Sequence, residues 1–363
     1  MKLTVRSDPH KLKLTMAGPT RTEHIAVTDG YEGTGVTQWL FAQAGLMHLV
    51  APYFPDIITT DFPVSLQTQL LIERMYRFEG AVPPEFRGPG PERTPRVLRW
   101  TTARRAVVEY SGGKDSMDNL ARAQERYGRD NVLAVHIAGL AKGVGAAERR
   151  ASIEQSRRFK FPLRIVELTK STMESGAKVL RSAKVFDACL VAPVALEFGA
   201  RHIITEEPGG PYFTGSRGAM ELLNGAFFGR SGIPLMVRWW DRPHDGVVKH
   251  LIKHRPDWLP YVCNCFSPMH YRIGIRKSWL RRTPTFRPFK NACGSCIKCR
   301  LTRLGWLLYG PHHASRADAV YFIRDCEQWA RHKQSTHQDL IGGSFSLYLE
   351  RARRRYGLQP RYE

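Results

Sequence analysis

The chain reads as an α/β protein built on a parallel sheet. Two observations predict this: beyond residue 104 short β-type runs alternate with longer helical stretches, and a glycine-rich turn follows the first run at once. Ala106 to Tyr110 is the first apolar run, followed by the turn and a helical stretch from Ser116 to Tyr127. Asn131 to Ile137 reads as a second strand and Ala146 to Phe159 as a helix. Leu163 to Leu168 reads as a third strand, Phe186 to Phe198 as a helix and His202 to Thr205 as a fourth strand. Such alternation implies helices on both faces of the sheet. Ligands of such sheets bind at the carboxyl ends of the strands, near the switch point.

Around this unit the chain divides by composition. Residues 1–82 mix β-prone pieces with two apolar-periodic segments, Gln38 to Val50 and Leu66 to Phe78, and are expected to form an α+β module. Residues 83–103 hold Pro83, Pro84, Pro89, Pro91 and Pro95 with Gly88 and Gly90, which excludes helix and central strand and reads as a linker. Residues 104–255 hold the alternating α/β unit and 256–363 a basic C-terminal lobe.

Of the 363 residues, 42% are hydrophobic and 24% charged, which excludes a disordered, a collagenous and a disulfide-miniprotein class. The apolar stretches Trp39 to Val50 and Cys189 to Phe198 are too short to span a bilayer. No apolar run follows Met1 to Asp8, and seven cysteines make an odd number, so the expected location is the cytoplasm, with no membrane partner. The net charge of +22 can attract polyanions or anionic nucleotides. It is unevenly spread: residues 1–100 carry 11 basic and 10 acidic side chains, whereas residues 271–300, from Arg272 to Arg300, carry nine basic and no acidic ones. That run reads equally as a solvated loop or as an anion-binding surface.

The most informative segment is Ser111-Gly112-Gly113-Lys114-Asp115-Ser116. Two glycines let backbone N–H groups approach an anion, Ser111 and Ser116 add hydroxyls, and the helix that follows presents its positive end. The spacing is neither that of a Walker A loop nor that of a dinucleotide fingerprint. A second cluster, Cys293, Cys296 and Cys299, has a C-x-x-C-x-x-C spacing that lets three thiolates converge on one tetrahedral ion, with Cys263 or Cys265 as the fourth ligand. Cys189 and Cys326 read as plain structural residues, and His250 and His254, four apart without the glutamate of a zincin, as surface histidines.

The loop resembles the S-G-G-x-D-S pyrophosphate loop of the N-type ATP pyrophosphatases, the PP-loop superfamily. With the C-terminal cysteines the chain resembles the 7-cyano-7-deazaguanine synthases, the QueC family. Asn264-Cys265-Phe266, Cys293-Gly294-Ser295-Cys296-Ile297-Lys298-Cys299, Leu301 and Gly305-Trp306 carry the second part of that likeness, which covers residues 104–310. It departs from the family pattern at Lys114, in the 27 residues between Cys265 and Cys293, and in Thr205 to Arg217, which matches the family's base-holding segment only through Tyr212, Arg217 and Glu221.

The resemblance implies an adenine nucleotide alpha hydrolase-like sheet with a C-terminal zinc-binding helical lobe. It implies ATP held by Tyr110, Ser111, Gly112, Gly113, Lys114, Asp115, Ser116 and the backbone around Val135, His136 and Ile137, with Lys114 and Asp115 acting on the phosphates and Mg²⁺ bridging them. Zn²⁺ is implied at Cys265, Cys293, Cys296 and Cys299. The implied reaction activates a 7-carboxy-7-deazaguanine-like carboxylate as its adenylate, releasing pyrophosphate, and an amine then displaces AMP. That amine is ammonia in the synthases and a protein amine in relatives encoded with antiphage systems. A homodimer is a further expectation. A tRNA-thiolating PP-loop enzyme, with an iron–sulfur cluster on the cysteines and RNA on the basic run, is the rival from another class, and a nucleotide-sensing module without catalysis is the last.

Overall fold

In the computed structural model the described residues are 2–8, 13–17, 22–27, 35–50, 55–78, 80–91, 104–139, 144–168, 183–206, 218, 220–240, 244–263, 297–310, 315–332 and 338–359. The strands are β1 Lys2–Asp8, β2 Lys13–Ala17, β3 Thr22–Val27, β4 Ile57–Thr60, β5 Glu85–Arg87, β6 Ala106–Glu109, β7 Val132–Ala138, β8 Leu163–Leu168, β9 His202–Ile204 and β10 Met236–Arg238. The α-helices are α1 Val36–Val50, α2 Leu66–Phe78, α3 Lys114–Tyr127, α4 Val144–Phe159, α5 Ala183–Glu197, α6 His244–His254, α7 Ile297–Tyr309, α8 Arg316–His332 and α9 Gln338–Arg355.

All ten strands join one sheet in the order β10-β9-β6-β7-β8-β3-β2-β1-β4-β5. Five of them, β10 to β8, are mutually parallel, and β1, β4 and β5 form a second parallel group. The antiparallel strands β2 and β3 join the two groups, with Ile25 opposite Leu168 and Val27 opposite Val166. The four strands expected beyond residue 104 are present, and the α/β architecture is compatible with a Rossmann-like core. β10 was not expected from the sequence, because three residues are too few to show a period. Within the proline-rich stretch, Glu85–Arg87 forms an edge strand, the position at which flanking prolines cost no ladder hydrogen bond.

Alternate residues of the parallel strands serve two cores. Val107, Leu133, Val135, Ile137 and Ile203 face a layer built from α5 and α1, the two most apolar stretches of the chain, which pack on each other. Ala106, Val108, Val132, Ala134 and Ile204 face Met117, Leu120 and Ala121 of α3 and Val247, Val248 and Leu251 of α6. A third core, with Leu304, Phe322, Ile323 and Tyr348, binds α7, α8 and α9 together. That bundle meets the sheet domain where Gly305 lies so close to α6 that a Cβ there would stand 2.6 Å from Val248 Cγ1. Glycine permits the approach.

Candidate functional site

In chain order the five parallel strands β6, β7, β8, β9 and β10 lie as 3-2-1-4-5 across the sheet. The connections therefore reverse direction between β6 and β9, the point at which sheets of this kind leave a crevice at the carboxyl ends of their strands. The segment Ser111 to Ser116 leaves β6 at that point and enters α3 through Gly113. Neighbouring Thr205 leaves β9, and the buried Asn119 side chain of α3 donates to its carbonyl oxygen at 2.9 Å, tying the two sides together.

The loop is held from within by short polar contacts. Ser111 N–H donates to Ser116 Oγ at 3.2 Å, and Ser116 Oγ donates to Gly113 O at 3.1 Å. The backbone turns through Gly112, at φ +77, where a Cβ would stand 2.9 Å from Gln155 Oε1. Gly112 thus carries both the turn and the close approach to α4. At the first turn of α3, Lys114 Nζ donates to both Asp115 oxygens at 2.7 and 2.6 Å. The lysine side chain is 3% exposed and the aspartate 25%, so the carboxylate is the member of the pair that reaches toward solvent.

Gln155, fully buried on α4, organises this corner, and sequence reasoning missed it. Its Oε1 accepts from Tyr110 O–H at 2.7 Å, while Nε2 donates to Gly112 O at 3.1 Å and to Tyr261 O at 2.6 Å. Cys263 N–H adds a second bond to Gly112 O at 2.9 Å. The chain that leads toward the cysteine cluster is therefore fastened to the loop itself. Ala151, Ser152 and Gln155 share the buried face of α4, where a polar side chain demands a specific partner, but in the sequence alone a helical glutamine gives no sign of it.

Tyr110 is buried, and desolvation, followed by the nearby Cys263 sulfur, pushes its hydroxyl well above the ordinary phenol value. It acts as a neutral donor. His136 is also buried, with Nδ1 2.8 Å from Tyr110 O. Burial, aided by the charge of Arg149 and opposed by the bond to Tyr110, lowers its pKa to about 4. The neutral ring donates through Nδ1–H to that carbonyl, and Nε2 has no hydrogen-bond partner among the described residues.

Of the expected metal ligands, Cys265, Cys293 and Cys296 lie outside the described residues, as do Tyr212 and Arg217. Cys299 is buried at the start of α7, and Cys263 is buried beside the loop. Cys189 and Cys326 are buried as expected, and burial pushes the Cys326 thiol up to about 12. Two expectations are corrected. Arg300 does not extend the basic run into solvent: it is buried, ion-paired with Asp325 and laid over the Trp329 ring at 5.5 Å. His250 is not a surface histidine: its side chain is 10% exposed, with Nδ1 2.7 Å from Oδ1 of the buried Asp118. The rest of the run, Arg272 to Lys298, is outside the description of side chains.

No protein-family model matches the chain, and no curated protein matches it. Among the described residues no helix is long and apolar enough to cross a membrane.

Proposed function

We propose that the chain binds ATP at the β6–α3 loop and cleaves it to AMP and pyrophosphate while activating a 7-carboxy-7-deazaguanine-like carboxylate for attack by an amine. The observation that carries this reading is the position of Ser111 to Ser116 at the reversal of strand order, opening onto the N-terminus of a 14-residue helix. Backbone N–H groups there, with the helix end behind them, favour a polyphosphate anion.

In this reading the carboxylate oxygen of the substrate attacks the α-phosphorus of ATP, the bond to the β,γ-phosphates breaks, and pyrophosphate leaves. The loop backbone and the Lys114 ammonium stabilise the charge that accumulates on the departing oxygens. An amine then adds to the acyl carbon and AMP departs. Gln155 and Tyr110 position the loop without touching substrate, by fixing Gly112. The carboxylate of Asp115 fits a hard cation, and Mg²⁺ bound there would supply charge neutralisation between the phosphates. Cys265, Cys293, Cys296 and Cys299 would hold zinc; the donor set is four soft thiolates with no open position, and the burial of Cys299 at the start of α7 suits a structural ion.

The test incubates the full chain with ATP, 7-carboxy-7-deazaguanine and ammonia, or a cell lysate as the source of protein amines, and identifies products by mass spectrometry. AMP, pyrophosphate and an amide, a nitrile or a modified protein are expected. Asp115→Ala is expected to lower pyrophosphate release by about 100-fold or more while the fold persists. ADP and phosphate as products would overturn the assignment.

A further inference from the structure

We propose that Glu125, His250 and His254 form a binding site for a divalent transition metal of the zinc class, which clamps α3 to α6. The proposal does not depend on the ATP reading. His250 Nε2 lies 3.2 Å from Glu125 Oε2 and His254 Nδ1 3.1 Å from Glu125 Oε1, and one donor atom from each residue falls within 4.8 Å of the others. Tetrahedral zinc, with bonds of about 2.0–2.2 Å to nitrogen and oxygen, sets neighbouring ligand atoms about 3.3–3.5 Å apart. The two imidazoles stand one turn apart on α6 with their rings stacked, centroids 4.4 Å apart, so both present a nitrogen to the same carboxylate.

The orientation of His250 points to a cation. Its Nδ1 faces Asp118 Oδ1 at 2.7 Å, and the other Asp118 oxygen accepts from Arg122 Nε at 2.9 Å. Asp118 is fully buried, so this contact fixes the ring. Nε2, the other ring nitrogen, faces a carboxylate oxygen of Glu125 at 3.2 Å, and in the ring form that donates through Nδ1–H to Asp118 its lone pair points at that oxygen. Two acceptors this close repel unless a proton or a cation stands between them. A buried carboxylate behind a histidine is also how proteins fix the tautomer of a metal ligand.

The local field agrees. Glu125 lies in the last turn of α3 and His254 is the last residue of α6, so the seam gathers the negative ends of two helices. Asp118 and Glu125 contribute two negative charges at the histidines, with Arg122 paired to Asp118, and with Arg126 and Lys253 in the same last turns as the other nearby charges. Glu125 and His254 are 40% and 35% exposed, which leaves water free to complete the coordination sphere. The bound ion would join the helix that begins at the loop to the helix on which α7 packs.

The experiment strips the full-length chain with a chelator, reloads it with zinc, removes excess by dialysis and counts bound metal by mass spectrometry. His254→Ala and Glu125→Gln are each expected to lose one equivalent relative to wild type with unchanged far-ultraviolet circular dichroism. The thiolate-to-metal absorption of the cobalt-loaded protein should stay as in wild type. Asp118→Asn keeps all three ligands and is expected to weaken zinc binding about 10–100-fold in chelator competition. Equal zinc content in wild type and folded Glu125→Gln would overturn the proposal, leaving a proton-sharing ion-pair network. Loss of the thiolate absorption together with the zinc would assign the missing ion to the cysteines and overturn it equally. Should His254→Ala fail to fold, Glu125→Gln carries the test at an exposed position.

Discussion

The two ends of α3 are built from opposite materials. At its N-terminus, hydroxyls, amides and the carbonyls of Gly112 and Gly113 are bound to one another, and the ion pair between Lys114 and Asp115 joins adjacent residues. From its second turn to its last, Asp118, Arg122 and Glu125 form a charged stripe that meets two histidines from a helix far along the chain. The helix dipole explains the division: its positive end suits an anion held by N–H groups, its negative end a cation held by carboxylates and imidazoles. A neutral, hydrogen-bonded end depends on shape, whereas a charged end depends on what ion is present. The two should respond to different insults.

The largest effect is expected from Gly112→Val. At φ +77 a side chain is strained by roughly 1–2 kcal/mol and must also displace Gln155. Pyrophosphate release should fall by about 100-fold or more, while zinc content is unchanged. Parallel loss of metal from the far end of α3 would show that the ends are not separable.

Gln155→Leu should rank second. It leaves the Tyr110 hydroxyl and the Tyr261 carbonyl buried without their partner, at about 1–3 kcal/mol for each. Urea unfolding should give a loss of about 2–4 kcal/mol with an unchanged denaturant slope. A loss below 0.5 kcal/mol, roughly that of a surface change, would show that the network does not hold the loop.

The smallest of the three is a pH effect at the neutral end. His136 titrates near pH 4 in the folded protein against 6.5 when unfolded, so the unfolded chain binds more protons between these values. Stability is fully present above pH 6.5 and is lost as pH falls toward 4, by about 2 kcal/mol at pH 5. His202, half-buried and also lowered to about 4 by burial, acts in the same direction. His136→Gln should flatten the stability profile between pH 7 and 5; an unaltered slope would remove His136 from the account.

How far the sequence revealed these features depended on how local each one is. β6 and β7 were legible because a buried parallel strand is a nearly continuous apolar run, β8 through Ile165 and Val166 between its leucines, and α3 because a glycine turn precedes it. The loop could be placed at the sheet's crevice, since strand, turn and helix adjoin in the chain. Gln155 was not legible: a glutamine in a helix looks like a surface residue until its partners, 43 and 106 residues away, are known. His250 failed for the same reason, its partner Asp118 lying 132 residues off. The pairing of β3 with β8 was equally hidden, because alternation tells which face of a strand is apolar but not which neighbour it takes.

That last pairing has a consequence for how the chain can be cut. β8 would be the outermost member of the parallel group if β3 did not bond to it through Ile25 to Val27. Deleting the first 27 residues would uncover a row of unpaired backbone donors and acceptors on a six-residue strand beside a hydrophobic layer. Such an edge recruits other chains. The N-terminal strands therefore act as a guard against self-association, and a chain trimmed to begin at residue 104 should precipitate even with every loop residue in place.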